Sequence, residues 1–367
     1  MKLSLVSGVL VAAMCATAAA DPTTIVTNAV NNYAAHHAFQ GTVIVIIDHD
    51  DLWWYNFGYR GAAQTPADYL DLTSPILIAS NTKTFTATDF ALADHDGAAP
   101  RNTTLGTELG VPASSPVHGA KLLDLVDYWS GLPRDTPSTF TTRAALFDSL
   151  SHCATFADPC FAPESQNLYS NYGFEVLGNI VAQERGYGVW GDLVTDEVLA
   201  PLGMTKTCTF GSGCHPQWAT SHAHPFAFNG TEVAEPDLND VTDPAGGLWT
   251  TGVDMATWLE YQLGKIPSSS PALTKLNAVL PTLRQRLASG SGWSWQFSPE
   301  TFSDGVSSTV RWKLGRFTGH NSYIGLADSR GVGIFVYVNR DGVNPATEDP
   351  SEEMRDDLAL PILKQFP

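Results

Sequence analysis

The chain has 367 residues, 43% of them hydrophobic and 16% charged, with a formal net charge of -18. That length holds a large core in one or two domains, and the composition excludes a disordered chain. The acidic balance excludes nucleic acid and anionic membrane surfaces as partners, and fits solubility outside the cell.

In chain order, the first segment reads as a targeting signal. Lys2 starts a basic n-region, residues 3–16 are an apolar run broken by Ser4 and Ser7, and Ala18-Ala19-Ala20 offers a cleavage site before Asp21. The run is too short to span a bilayer comfortably. The spacing predicts a secreted or periplasmic protein with residues 1–20 removed and no stable membrane insertion. Residues 23–39 have the period of an amphipathic helix. The β-branched run 41–47 and the aromatic run 52–59 flank Asp48-His49-Asp50-Asp51 and predict a hairpin. Residues 77–79 lead into Ser80 and an apolar helix that Asp96-Gly97 stops. Further helices are predicted over 121–128, 144–151, 173–185, 189–199 and 253–263, then strands over 293–297, 310–317, 322–328 and 332–338. A last helix over 352–365 is interrupted by Pro361. The order predicts an α+β fold, an antiparallel sheet flanked by helices. Residues 21–97 and 241–367 would form the sheet domain, and 98–240 an inserted helical subdomain.

Loss of the signal removes Cys15 and leaves Cys153, Cys160, Cys208 and Cys214. An even count in an exported chain predicts two disulfides, for which three pairings exist. Cys153–Cys160 and Cys208–Cys214 each close a short loop containing Pro or Gly, which favours that pairing. Asn102-Thr103-Thr104 and Asn229-Gly230-Thr231 are glycosylation sequons.

Ser80-Asn81-Thr82-Lys83 carries the chemistry. Serine and lysine three residues apart share one helix face. A lysine amine kept neutral by burial can take a proton from the hydroxyl, which makes a serine nucleophile without histidine. One such tetrad is near chance in a chain this long, but of eight lysines only Lys83 has serine at that offset. The helix N-terminus adds unpaired N–H groups for an oxyanion. Tyr169-Ser170-Asn171 stands at a loop-to-helix junction, where Tyr169 is a candidate base near a cation and Asn171 a candidate amide binder. His215, His222 and His224 form a cluster with no H-E-x-x-H and no interleaved acid, which reads as a surface loop. Neither G-x-S-x-G nor a phosphate-binding glycine motif occurs. No metal or organic cofactor is expected.

These residues, with Ser130-Gly131-Leu132-Pro133, Pro201-Leu202-Gly203-Met204 followed by Thr207, and Gly246-Gly247-Leu248-Trp249 with Asp254 behind it, resemble the β-lactamase-related serine hydrolases. That group includes class C β-lactamases, D-alanyl-D-alanine peptidases and related esterases, and the chain is most similar to the class-C-type penicillin-binding peptidases. The resemblance spans nearly all of the mature chain and implies a β-lactamase/transpeptidase-like fold. It implies Ser80 as nucleophile, Lys83 as its activator or as the holder of a proton for it, Tyr169 as acylation base and leaving-group acid, and Asn171 on the acyl side chain. It also implies an oxyanion hole from the Ser80 N–H and an N–H of an edge strand. The family's Lys-Thr-Gly or His-Thr-Gly triplet on that strand has two candidate registers. One is Phe317-Thr318-Gly319, with phenylalanine for the cation, and the other is His320-Asn321-Ser322, with the histidine kept and the glycine lost. Thr318, Gly319, His320, Asn321 and Trp129 are thus candidate substrate-binding residues. Either register weakens binding of a substrate carboxylate. The resemblance therefore implies a Ser80 acyl-enzyme that hydrolyses small esters or amides, with D-amino-acid peptides as further candidates. The alternatives are a catalytically silent binding protein and a true β-lactamase or DD-carboxypeptidase.

Overall fold

The computed structural model describes residues 21–209 and 221–366. The signal segment, Cys214 and His215 lie outside the described residues. Six antiparallel strands form the main sheet: β1 (Gly41–Asp48), β2 (Asp51–Gly58), β6 (Gln296–Thr301), β7 (Ser307–Phe317), β8 (His320–Ala327) and β9 (Val332–Val338). Their order is β2-β1-β9-β8-β7-β6, so the two ends of the chain meet at β1 and β9. A smaller sheet joins β3 (Ile76–Leu77), β5 (Leu248–Thr250) and β4 (Cys208–Thr209) in the order β3-β5-β4.

β1 reads as an unbroken apolar run because both its faces are buried. Ile44 and Ile46 pack with Val26, Val30 and Leu358 from α1 (Pro22–His36) and the C-terminal helices. Val43, Val45 and Ile47 belong to the larger core on the other face. That core runs without a break through α2 (Thr82–Asp96), the helix Asn171–Glu184 and the helices between residues 105 and 202. α2 is buried from Thr82 to Ala93 and ends at Gly97, whose φ of 76° forms a left-handed cap.

Several predicted elements differ in detail. The strand expected over 293–297 starts only at Gln296, because Trp293 and Ser294 take positive φ values of 52° and 75° in a turn. A helix at Pro271–Leu283 was not expected, although Ser270 accepts from the Leu273 N–H as its cap and Pro271 fills its first position. The C-terminal helix divides into Pro350–Met354, a wide turn Arg355–Ala359 and Leu360–Leu363. The same wide turn, Thr195–Leu199, precedes Pro201. In both places a proline without an N–H follows two residues after the turn, and the widened helix accommodates the missing bond. Cys153 and Cys160 form a disulfide. Cys208 is disulfide-bonded.

Candidate active site

Ser80 follows β3 in a tight turn, Ala79–Asn81, that runs into α2. Ala79 holds a φ of 48°, an uncommon value for a residue with a Cβ. The turn is pinned from the main sheet. Asn81 donates its amide to the Ser322 hydroxyl at 2.7 Å, and that hydroxyl donates to the Ile78 carbonyl at 2.8 Å. Gly315 of β7 lies so close that a Cβ there would stand 2.1 Å from the Ile78 carbonyl oxygen.

One helical turn on, Lys83 is fully buried. Its amine makes three contacts: the Ser80 hydroxyl at 3.1 Å, the Asn171 carbonyl oxygen at 2.7 Å, and the backbone carbonyl of Ala245. Burial, with Lys313 and Arg134 nearby, holds the amine well below the usual lysine range, and Glu175 and Asp135 oppose them only in part. The Ala245 carbonyl is brought in by the turn Asp243–Gly246, where Thr86 donates to the Pro244 carbonyl at 2.7 Å and Gly178 leaves room for the Pro244 ring.

Tyr169 donates its hydroxyl to the Ser80 oxygen at 2.7 Å. It precedes Ser170, the cap of the helix Asn171–Glu184. Burial pushes its phenol above the usual tyrosine range, with the Ser80 hydrogen bond and Arg134 pulling the other way. The net rise favours the protonated phenol, donating to Ser80, over the phenolate. Asn171 is engaged at both ends, its carbonyl by Lys83 and its NH2 by Asp135 at 2.6 Å.

The strand triplet needs correction. Neither candidate register puts a cation in the cleft. His320 is buried beside Trp249, with its ring nitrogens on Tyr337 at 2.6 Å and Glu235 at 2.8 Å. Asn321 is buried and donates to Asp341 at 3.1 Å. Gly319, at φ 74°, donates its N–H to Asp341 at 3.0 Å in the β7–β8 turn. Of that group only Thr318 lines the cleft, at its end beside Phe317. The cation is Lys313, four to seven residues earlier. Alternate residues of β7 share a face, so Lys313, Gly315 and Phe317 all turn toward the nucleophile. Lys313-Leu314-Gly315 stands where the family triplet would, with leucine for threonine. The lysine two residues before a strand glycine was the signal in the sequence, and the Thr318-Gly319 pair masked it. The Lys313 amine sits 4.7 Å from the Tyr169 ring centre and donates to the Tyr128 hydroxyl at 2.8 Å. Burial and Arg134 bring it down to about 7. Trp129 is half-buried and does not line the cleft; its neighbour Tyr128 stacks under Tyr169 at 5.0 Å.

The resulting cleft has a volume of about 510 Å³. Ser80, Tyr169 and Lys313 face it, Arg134 borders it, Leu314, Trp312 and Phe317 form an apolar side, and Asp349 and Glu352 stand on its rim. β7 pairs with β6 only as far as Trp312, so residues 313–317 offer a free edge. His222 and His224 lie outside this cleft lining and pair with Glu235 and Glu232 at 3.0 and 2.6 Å.

Comparison with known proteins bears on the fold and the family. The D-alanyl-D-alanine-carboxypeptidase/endopeptidase AmpH of Escherichia coli K12 is 25% identical over 93% of this chain and 92% of its own length. A class C beta lactamase from Rhodobacter sphaeroides superposes with a TM-score of 0.74 at 20% identity, covering 93% of this chain and 99% of that one. D-alanine carboxypeptidase AmpC from Burkholderia cenocepacia superposes with a TM-score of 0.76 at 19% identity, covering 93% and 98%. The pattern of the family described as Beta-lactamase matches residues 26–359, and with that extent and this fold the chain belongs to the beta-lactamase family.

Proposed function

We propose that the chain is an exported serine hydrolase that forms and hydrolyses an acyl-enzyme at Ser80, acting on small esters or amides. One observation carries this reading: the three contacts of the Lys83 amine. A neutral amine has two N–H donors and one lone pair. The Asn171 and Ala245 oxygens can only accept, so they take both donors. The amine's third contact is on the Ser80 oxygen, to which the Tyr169 phenol also donates from the other side; in the neutral amine the lone pair is the site left to take the Ser80 proton.

The chemistry follows from that proton inventory. Ser80 attacks the acyl carbon and its proton passes to Lys83. The oxyanion meets the Ser80 N–H and the Arg316 N–H. The two-residue turn makes Phe317 and His320 a bonded pair, so Arg316 directs its N–H toward the free edge of β7. As the tetrahedral intermediate collapses, Tyr169 gives its proton to the leaving oxygen or nitrogen. Proton exchange between the ammonium and the phenolate restores both groups. Water then attacks the ester carbon, its proton passes to the same pair, and Ser80 recovers a hydrogen as the acid departs.

A second reading, DD-carboxypeptidase, is favoured by Lys313 and Arg134, two cations at the cleft able to meet a terminal carboxylate. Lys313 supplies the cation that the altered strand triplet was read as lacking, while Leu314 still stands in place of the triplet's threonine. The test is intact-mass analysis after a fluorophosphonate probe, with a substrate panel. Wild type should gain one label, Ser80→Ala none, and p-nitrophenyl acetate should be hydrolysed. A D-Ala-D-Ala peptide cleaved faster than the ester selects the second reading. An unlabelled wild type that turns over nothing sinks both. Export predicts a mature N-terminus at Asp21, readable by N-terminal sequencing.

A further inference from the structure

Tyr128 is absent from the reaction as described, yet it holds a strained position in the wall of the site. Its φ is 64°, which a bulky residue adopts only when its surroundings impose it. Here they do: the Tyr128 carbonyl accepts from the Leu168 N–H at 2.8 Å, and two residues earlier the Val126 carbonyl accepts from the Ser294 N–H at 3.1 Å. The side chain is buried and its ring stacks on Tyr169 at 5.0 Å. Among the described residues its hydroxyl is the one hydrogen-bond acceptor on the Lys313 amine. The amine also lies over the faces of Tyr169 and Tyr128, at 4.7 and 5.2 Å. Among the described residues no carboxylate bonds to it. The nearby cation Arg134 opposes its charge, and Asp349 and Glu352 lie in the same cleft without reaching it.

We propose that Tyr128 is a positioning residue for this reaction: its hydroxyl and ring hold the Lys313 ammonium against Tyr169, where the charge offsets the phenolate that forms as Tyr169 protonates the leaving group. The inference rests on the acyl-enzyme reading above. Its consequence is selective. A leaving group that needs a proton depends on the Tyr128–Lys313 pair, and one that leaves as a stable anion does not.

The experiment compares wild type with Tyr128→Phe, which keeps the ring stack and removes the hydroxyl. Hydrolysis of ethyl butyrate, followed by pH-stat, should fall about tenfold at pH 8, and its alkaline limb should move down by about one pH unit, the size of one lost charge-assisted hydrogen bond. Hydrolysis of p-nitrophenyl acetate should change much less. In a Lys313→Met background the same substitution should cost nothing further. A second readout needs no turnover: in 15Nζ-lysine NMR, with Lys313 assigned by its loss in Lys313→Met, the titration of the Lys313 amine should shift down in Tyr128→Phe. An equal loss on both esters, additive effects or an unmoved Lys313 titration overturns the proposal. If wild type hydrolyses neither ester, the functional reading fails separately, and the amine titration still decides the Tyr128 contact.

Discussion

The proton inventory of three side chains decides the division of labour at Ser80. Burial lowers the Lys83 amine well below the usual lysine range and raises the Tyr169 phenol above the usual tyrosine range. In the proposed mechanism Lys83 takes the base role in acylation that the family resemblance assigned to Tyr169, and Tyr169 acts as the acid. Lys83→Met should lower kcat/KM by roughly 10³ on every substrate, within the range for loss of a general base. Tyr169→Phe should cost roughly 10² on an alkyl ester but little on p-nitrophenyl acetate. Equal losses on the two esters would return the base role to Tyr169. Ser80, Lys83, Tyr169 and Asn171 were all nameable from the sequence, because each pair of partners lies within a helical turn or a three-residue motif. Lys313 was not, since a lysine on a strand means nothing until one knows which face of β7 meets the nucleophile turn.

Two elements build the cleft by close approach, α2 and β7. β7 can lie against the Ala79–Asn81 turn only because Gly315 has no side chain. A Cβ there would stand 2.1 Å from the Ile78 oxygen and 2.4 Å from the Ser322 hydroxyl. Gly315→Val should push the strand from the turn and open the Ser80 site. We expect at least a tenfold loss of esterase activity and destabilisation of about 1–3 kcal/mol, typical of overpacking. Thermal melting and p-nitrophenyl acetate hydrolysis check this, and wild-type values for both would show that β7 tolerates displacement. Elements with a clean local period were readable: the β1–β2 hairpin, α1, α2 and the β7–β9 strands. The helix Pro271–Leu283 was overlooked despite its Ser-Pro start, with Pro281 inside it. The strand near 293 was displaced because Trp293 and Ser294 spend their apolar burial on a turn, which hydrophobicity alone cannot distinguish from a strand.

Over the whole molecule, buried acids set the response to pH. Burial, with acidic neighbours adding to it, pushes Glu175 and Glu353 up to about 8, and Asp89 is also raised well above the ordinary aspartate range by burial. A carboxyl whose folded pKa exceeds its unfolded one stabilises fully below the unfolded value and loses that contribution as pH rises toward the folded one. Burial alone would raise Glu235, but its hydrogen bonds to His222 and His320 outweigh that and bring it down to about 2, so its contribution is lost only in strong acid. Lys313 acts with the opposite slope, but only above about 7, and Lys83, held well below the ordinary lysine range by burial, also acts with the opposite slope, one group against the three raised carboxyls. Stability should therefore be greatest near pH 5 and decline toward pH 7. A Tm that rises by several degrees over that interval would refute the assignment. The net charge of -18 works in the same direction, since self-repulsion eases as carboxylates protonate.

The division between sequence and structure follows chain distance. By itself the sequence determined the strand runs, the nucleophile helix with its serine and lysine, and the tyrosine motif, because period and spacing act within a few residues. Only the tertiary structure decided which cation enters the cleft, which carbonyl completes the Lys83 cage and that the tyrosine rests as a donor. Ala245 lies 162 residues from Lys83, and Tyr128 lies 185 from Lys313. Such contacts are set by how β7 and the Asp243–Gly246 turn pack onto α2, and packing between distant elements leaves no period along the chain.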